Sequence, residues 1–276
     1  MTWRGEPEPV QAHTIDLWGW LRLFRRALPV LIVLILGLLA LMAVRAGELI
    51  LCRGKRRLSP NCAMYVSRFA LFSLGFRVTR RGEPMQGGGA VVANHSTWAD
   101  IFALNAYQKV CFVAKSEVRS WPGIGLLARA TGTVFIRRDP REAARQRDVF
   151  RQRLEAGDCL LFFPEGTSTD GRRVLPFRST LFDAFLGEGM AQMRIQPVTV
   201  VWHAPEGSEP GYYGWWGDMD FAPNLLMVLT SRRQGRLELT YHPPVLAAEI
   251  GERKRLAQMA GDQVRAGHVL AEGRAS

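Results

Sequence analysis

An uncharged apolar run, residues 27–44, constrains this chain more than any other feature. As an α-helix the run would be about 27 Å long, just short of the ~30 Å hydrocarbon core of a bilayer. It is longer than the apolar part of a usual signal peptide and a long arm precedes it, so cleavage is disfavoured. Its marginal length, with Pro29 and Gly37 inside it, leaves a membrane-spanning helix and a re-entrant or interfacial helix both open.

The flanks of this run are basic. Residues 15–26 combine Trp and Phe side chains with arginines, a composition typical of an interfacial anchor. Those arginines are Arg22, Arg25 and Arg26. A denser basic cluster, at residues 53–57, follows the run and places the body of the protein in the cytoplasm by the positive-inside tendency.

The positive charge of the chain is concentrated at the N-terminal end. Residues 1–81 hold 13 Lys and Arg against 4 Asp and Glu, or +9 of the total +11. Because the neighbouring residues are apolar, we expect this charge to meet anionic membrane lipid. Nucleic acid is a less favoured partner, since no aromatic interleaving or nucleic-acid-binding module accompanies the cluster.

The rest of the chain alternates short apolar runs with helical ones. Strands are predicted at residues 90–93, 110–114, 133–136, 159–163, 196–202 and 236–241, and helices at residues 98–107 and 141–156. This alternation predicts an α/β fold, with a mixed or mostly parallel sheet flanked by helices. We divide the chain into a membrane-associated helical region, residues 1–75, a catalytic domain, residues 76–250, and a C-terminal helix that frays into a polar tail, residues 251–276.

Polar residues follow three of the predicted strands. They lie at residues 94–100, at Arg137 and Arg138, and at residues 164–171. Chemistry in such sheets collects beyond the carboxyl ends of the strands, so these loops are expected to form one cleft.

The first of these loops contains His95 and Asp100. A neutral imidazole can take a proton from a hydroxyl group, and a carboxylate beside it can fix the ring's tautomer and stabilise the imidazolium. The plainer interpretation makes His95 a polar strand-end residue and Asp100 an acid in the first turn of a helix. No cluster of Cys and His has the spacing of a zinc site, so neither a metal nor another cofactor is expected.

Four ordered blocks extend the signal of the first loop. They are Asn94-His95-x4-Asp100, the sequence GTVFIRR at residues 132–138, FPEGT at residues 163–167 and QPV at residues 196–198. Together they resemble the lysophospholipid acyltransferase family, typified by 1-acylglycerol-3-phosphate acyltransferase, whose blocks include G-x-x-F-I-D-R and V-P-V.

The resemblance implies acyl transfer from an acyl carrier protein or coenzyme A thioester to the hydroxyl of a lyso-lipid. In that reaction His95 is the general base and Asp100 orients it. Backbone N–H groups of the turn at residues 165–167 are candidate donors to the oxyanion. Glu165 itself is an acceptor-site residue or an organiser of the turn. The residues implied in substrate binding are Asn94, Lys115, Arg138, Glu165, Gly166, Thr167 and Arg178.

Departures from the family pattern concern the acceptor. Where the family commonly has Glu-Gly-Thr-Arg-Ser, this chain has Ser168 in place of the arginine, and Arg137 replaces the usual Asp of the second block. With the segments at residues 112–118 and 213–220, these departures resemble the lyso-ornithine lipid acyltransferase branch, whose zwitterionic acceptor needs no phosphate clamp. Lysophosphatidic acid is the alternative acceptor.

Two other classes of function compete with acyl transfer. A thioester or ester hydrolase would use water in place of the lipid hydroxyl, but the chain has no Gly-x-Ser-x-Gly elbow. Ser96 also follows His95 too closely for the usual triad geometry. A catalytically silent membrane-remodelling protein is disfavoured because His95 and Asp100 are both present.

Overall fold

The N-terminal region is built on one long helix, α1, Leu17–Leu51. The structure is a computed structural model that describes residues 3–5, 15–52, 55–137, 140–187 and 189–274. The Asp16 side chain caps the start of α1 by accepting the N–H of Gly19 at 2.6 Å. The helix continues through Pro29 and Gly37, so the apolar run forms no hairpin of its own. Within the described ranges α1 is the one helix long and apolar enough to cross a membrane, by length and composition.

A second helix, α2, Ser59–Leu74, packs along α1. Its first N–H groups are capped from α1, because the buried carboxylate of Glu48 accepts the N–H of Ser59 at 3.0 Å and that of Leu58 at 2.5 Å. Arg45 holds the other oxygen of Glu48 at 2.7 Å. The start of α2 is therefore fixed to the end of α1 through one carboxylate.

The remaining elements form an α/β domain around one sheet. The strands are β1 (Arg77–Arg81), β2 (Gly89–Ala93), β3 (Cys111–Lys115), β4 (Val134–Ile136), β5 (Cys159–Phe162), β6 (Arg194–His203), β7 (Arg236–Tyr241) and β8 (Val245–Leu246). The helices are α3 (Asp100–Asn105), α4 (Ile124–Thr131), α5 (Ala143–Glu155), α6 (Phe221–Thr230), α7 (Ala247–Ile250) and α8 (Arg253–Gly273). The strand order is β1-β7-β6-β2-β5-β3-β4, with β8 paired to β6.

The sheet is mixed and mostly parallel, as the alternating pattern predicted. β2 pairs in parallel with β5 and β6, β3 pairs in parallel with β4 and β5, and β1 pairs in parallel with β7. The antiparallel pairs are those of β6 with β7 and β8. The carboxyl ends of β2, β5, β3, β4 and β6 consequently lie at the same edge of the sheet.

β2 lies at the centre of the core. Val91 and Ala93 pack into one apolar cluster, whereas Ala90 and Val92 pack into the other on the opposite face. Every residue of β2 is buried. Burial on both faces explains why this strand has an unbroken apolar sequence, as expected for a parallel strand covered by helices.

All six predicted strands are present, and the predicted helices at residues 98–107 and 141–156 correspond to the shorter α3 and α5. β1 had no apolar signal because it is a polar, largely exposed strand at the edge of the sheet. The helix expected after residue 251 corresponds to α8, which continues to Gly273 and buries Leu256, Ala260 and Val264 against the domain.

Two arginines fasten α1 to the domain. Arg26 is 2% exposed and donates from Nη1 to the carbonyl groups of Leu229 at 2.8 Å and Ser231 at 2.6 Å. Arg22 donates from Nε to the carbonyl of Thr230 at 2.7 Å. These carbonyls close the C-terminal end of α6, where a helix leaves unpaired acceptors and a partial negative charge.

In this flank, whose composition is typical of an interfacial anchor, Arg22 and Arg26 therefore bind protein carbonyls. Arg25 is exposed, as expected. In the second basic cluster Lys55 and Arg57 are exposed, and Arg53 lies outside the described residues.

We expect Arg26→Met to lower the melting temperature of the full chain in detergent micelles by roughly 4–8 °C, equivalent to about 2 kcal/mol, because it leaves buried carbonyl groups without a donor. Arg25→Met is the matched control, since Arg25 is the exposed neighbour, and should change stability by less than about 0.5 kcal/mol. Equal losses in the two variants would show that α1 is not held through Arg26.

Candidate active site

The site begins where β2 ends. The side chain of Asn94 continues the pairing of β2 with β6, donating to the carbonyl of Val200 at 2.8 Å and accepting its N–H at 2.8 Å. Asn94 is 2% exposed. Its amide therefore joins two strands, in a position that does not suit the substrate contact expected from the motif.

His95 and Asp100 meet as the motif predicts. Asp100 is fully buried, and its Oδ2 lies 2.8 Å from Nδ1 of His95. The same oxygen accepts the N–H groups of Ser96 at 2.8 Å and Thr97 at 3.0 Å. Asp100 is the first residue of α3, yet its carboxylate makes no capping bond to that helix and binds the preceding loop instead. Asp100 is thus an acid in the first turn of a helix, as the plainer interpretation has it, and its carboxylate also binds His95.

The second oxygen of Asp100 has a partner from a distant strand. Oδ1 accepts the indole N–H of Trp202, on β6, at 2.7 Å. Sequence reasoning missed this residue, although Trp202 closes the predicted strand at residues 196–202. Its position at the carboxyl end of a strand was the signal that would have placed it beside the loop.

The imidazole of His95 is held by packing and by its backbone. Its ring stacks on Phe163, with centroids 4.0 Å apart and planes 12° apart. Its N–H donates to Oε2 of Glu165 at 2.8 Å, and its carbonyl accepts the N–H of Thr169 at 2.9 Å. The His95 side chain is 20% exposed, so the ring is packed and still reaches solvent.

The contact with Asp100 determines which ring nitrogen of His95 can accept a proton. An ionised carboxylate can only accept, so Nδ1 of His95 carries a hydrogen toward Asp100. Nε2 is then the nitrogen with a lone pair available to a substrate proton. The pair therefore has the geometry of a general base and its orienting acid.

Glu165 organises the neighbouring turn. It is 2% exposed, and its two oxygens accept the N–H groups of His95 and Leu175, each at 2.8 Å. Burial raises the pKa of Glu165 to about 8, although these two hydrogen bonds act in the opposite direction. Of the two roles expected for Glu165, the geometry favours the organiser of the turn.

The turn that follows Glu165 carries Gly166 and Thr167. Gly166 has φ of 73°, a conformation that favours glycine. Its N–H donates to the carbonyl of Phe163 at 3.0 Å, so one of the three expected oxyanion donors is used within the turn. Thr167 accepts the N–H of Trp3 at 3.3 Å. The guanidinium of Arg178 lies over this turn, with Nε 3.4 Å from the position that a Cβ on Gly166 would take.

Of the other basic residues expected to bind substrate, Lys115 lies farther along the same sheet edge. Lys115 ends β3, is exposed and pairs with Glu117 at 3.5 Å. Arg138 lies outside the described residues. Arg137, before it, is exposed and pairs with Glu142 at 3.2 Å.

The aromatic segment at residues 213–220 packs against the loop that carries the pair. The N–H of Trp215 donates to the carbonyl of Ser96 at 2.8 Å. The indole N–H of Trp98 donates to the side-chain oxygen of Asn224, on α6, at 2.9 Å. The side-chain NH2 of Asn224 in turn donates to the carbonyl of Gly214 at 3.0 Å. This segment is one wall of the site.

No metal centre accompanies the pair in the part of the chain that the structure describes, where no group of three or more His, Cys, Asp or Glu side chains could hold an ion.

Comparison with known proteins identifies relatives over nearly the whole chain. Residues 76–201 match the family model described as Acyltransferase. A lyso-ornithine lipid O-acyltransferase from Rhodobacter capsulatus is 51% identical over 267 residues, which cover 96% of each chain. One from Brucella abortus is 37% identical over 225 residues, covering 77% of this chain and 82% of that protein.

A solved structure shares the fold. The crystal structure of the 1-acyl-sn-glycerophosphate (LPA) acyltransferase from Thermotoga maritima superposes with a TM-score of 0.57 and covers 91% of this chain and 98% of its own. The two sequences are 22% identical, so this likeness establishes the architecture alone.

The raised pKa of Glu165 predicts a pH dependence of stability. Because this pKa rises on folding from 4.5 to about 8, the folded state binds more protons than the unfolded state between those values. The unfolding free energy contributed by Glu165 therefore falls as pH rises through that window.

Glu165→Gln removes this titration. Between about pH 5 and about pH 8, we expect the unfolding free energy of the wild type to fall by over ~1 kcal/mol more than that of Glu165→Gln, measured by thermal melts across pH. Glu209→Gln, at an exposed glutamate, is the control and should keep the wild-type pH dependence. Parallel curves for wild type and Glu165→Gln would contradict the raised pKa.

Proposed function

Because the chain belongs to the lysophospholipid acyltransferase family, we propose that it moves a fatty acyl group from an acyl carrier protein or coenzyme A thioester to the hydroxyl of lyso-ornithine lipid. The observation that carries this proposal is the 2.8 Å contact between His95 Nδ1 and Asp100 Oδ2, which leaves Nε2 for the acceptor hydroxyl. The enzyme is a lysolipid acyltransferase in its broader class.

The reaction needs no nucleophile from the enzyme. Nε2 of His95 takes the hydroxyl proton as the acceptor oxygen attacks the thioester carbonyl carbon, which forms the new C–O bond. Collapse of the tetrahedral intermediate breaks the C–S bond. The leaving thiolate takes the proton back from the imidazolium, which Asp100 stabilises while it is charged. The imidazole is then neutral again and ready for the next acceptor.

The turn at residues 165–167 supports the oxyanion. Its candidate donors are backbone N–H groups, which stabilise the carbonyl oxygen most strongly once that oxygen becomes charged. Since the N–H of Gly166 closes the turn, the N–H groups of Glu165 and Thr167 are the remaining candidate donors. The buried carboxyl group of Glu165 accepts the N–H of His95 and so holds this turn beside the base.

The acceptor is proposed from the residues at the same turn. Ser168 stands where the family commonly has an arginine, and a zwitterionic lipid with a carboxylate does not need a phosphate clamp. Arg178 lies over Gly166 and supplies a guanidinium, which suits a carboxylate. The lyso-ornithine lipid acyltransferases among the relatives support this choice. Lysophosphatidic acid is the competing acceptor.

The membrane is proposed as the source of the acceptor. The apolar stretch of α1 is largely exposed, including Leu31, Ile35 and Leu39, and its N-terminal turns carry the exposed rings of Trp18 and Phe24. An exposed apolar surface of this length suits lipid better than water. We place the enzyme at the cytoplasmic membrane, with its α/β domain on the cytoplasmic face and in contact with anionic lipid.

We expect His95→Ala to lower the turnover of labelled acyl carrier protein thioester and lyso-ornithine lipid to diacyl lipid by about 10²-fold or more, with the melting temperature unchanged. Asp100→Asn should be similarly severe, because Nδ1 loses its acceptor. Asp183→Asn is the matched control, since this partly exposed aspartate pairs with Arg147 away from the pair. Near-normal turnover in His95→Ala would overturn the mechanism, and free fatty acid as the main wild-type product would indicate a hydrolase.

Ser168→Arg tests the choice of acceptor. The added guanidinium should raise kcat/KM for lysophosphatidic acid relative to lyso-ornithine lipid by about 10-fold, because a charge-assisted contact to phosphate becomes possible. Ser168→Gln, which adds length without charge, should leave that ratio near the wild-type value. A wild-type enzyme that already prefers lysophosphatidic acid would establish the competing acceptor.

A further inference from the structure

We propose that Trp202 is a positioning residue of the transfer reaction, whose indole N–H fixes the carboxylate of Asp100 and through it the ring of His95. The contact that points to this role is the 2.7 Å hydrogen bond from Trp202 Nε1 to Asp100 Oδ1. The inference rests on the proposed function of His95 and Asp100.

The need for a donor at Oδ1 follows from the bonds at Oδ2. Oδ2 accepts from His95 and from the N–H groups of Ser96 and Thr97, all within one loop. The torsion that turns a carboxylate about its Cβ–Cγ bond is broad, so bonds at a single oxygen leave its plane loosely defined. A donor at Oδ1, coming from a strand 102 residues away, fixes that plane relative to the sheet.

The indole of Trp202 is itself held in place. Its ring packs edge-on against Phe76, with centroids 4.8 Å apart and planes 72° apart, and lies 5.8 Å from the ring of Tyr213. The hydroxyl of Tyr213 donates to Gln234 at 2.8 Å and accepts the N–H of Gly235 at 2.7 Å. These contacts give the indole one orientation, which is what a group that orients another must have.

The charge of the site gives the indole a second effect. An ionised carboxylate buried from water is stabilised by each hydrogen bond that it accepts. Trp202 donates a hydrogen bond without adding a positive charge. It therefore stabilises the carboxylate of Asp100 without weakening the attraction of that carboxylate for the imidazolium of His95. The indole thus adds a hydrogen bond to the fully buried carboxylate of Asp100, beside the ring that it orients.

Trp202→Phe keeps an aromatic ring and removes the N–H. We expect kcat to fall about 10-fold, equivalent to about 1.4 kcal/mol. The KM for both substrates should be unchanged, because the proposed role of the indole involves no contact with substrate. Replacement of Trp202 by 3-benzothienylalanine removes the N–H at constant ring shape. It should give the same loss even if the phenylalanine variant folds poorly.

Leu239→Ala is the matched control for packing. Leu239 is fully buried on β7 in the apolar cluster against which Trp202 packs, and the donors to Asp100 come from other residues. We expect a lower melting temperature with kcat within about twofold of wild type. The same 10-fold loss of kcat in Leu239→Ala would assign the effect of Trp202 to packing and overturn the proposal.

A double-mutant cycle separates positioning from general structure. In the Asp100→Ala background no carboxylate is left to orient, so adding Trp202→Phe should leave the residual kcat unchanged. A further 10-fold loss in that background would contradict the proposal, as would a kcat within twofold of wild type for both Trp202 replacements. A collapse of activity in His95→Ala alongside a neutral Trp202→Phe would reject the role of Trp202 while leaving the proposed function intact.

Discussion

The buried carboxylate of Asp100 is the interaction on which the rest of the site depends. A fully buried charge is costly unless it is hydrogen-bonded, and this one accepts four donors: two loop N–H groups, the imidazole of His95 and the indole of Trp202. These donors come from the loop after β2 and from the end of β6. One side chain thus joins the catalytic loop to the sheet and determines which nitrogen of His95 faces the acceptor.

The long N-terminal helix is connected to this site through α6. Arg26 binds the C-terminal carbonyls of α6, while Asn224 within α6 binds Trp98, which lies in the loop between His95 and Asp100. The helix proposed to contact lipid is therefore packed against α6, which in turn binds the loop between His95 and Asp100. The C-terminal end of α6 leaves carbonyl groups that need donors, and Arg22 and Arg26 supply them.

Local patterns in the sequence predicted the six strands, the common edge of their polar loops and the meeting of His95 with Asp100. They could not predict contacts between distant residues. Asn94 was expected to bind substrate, but its side-chain amide bonds to the backbone of Val200. Arg26 was expected to belong to an interfacial anchor, but its guanidinium donates to the carbonyls of Leu229 and Ser231. Trp202 was missed for the same reason, because a strand-end tryptophan acquires its role only from the loop that packs beside it.

The most direct test of this account is the tautomer of His95, read by NMR of the ¹⁵N-histidine-labelled full chain in micelles at neutral pH. In the neutral ring we expect hydrogen on Nδ1, bonded to Asp100, and a bare Nε2. We also expect Asp100→Asn to disturb this preference. A ring with hydrogen on Nε2, or one unaffected by Asp100→Asn, would contradict the claim that Asp100 prepares His95 to accept a proton.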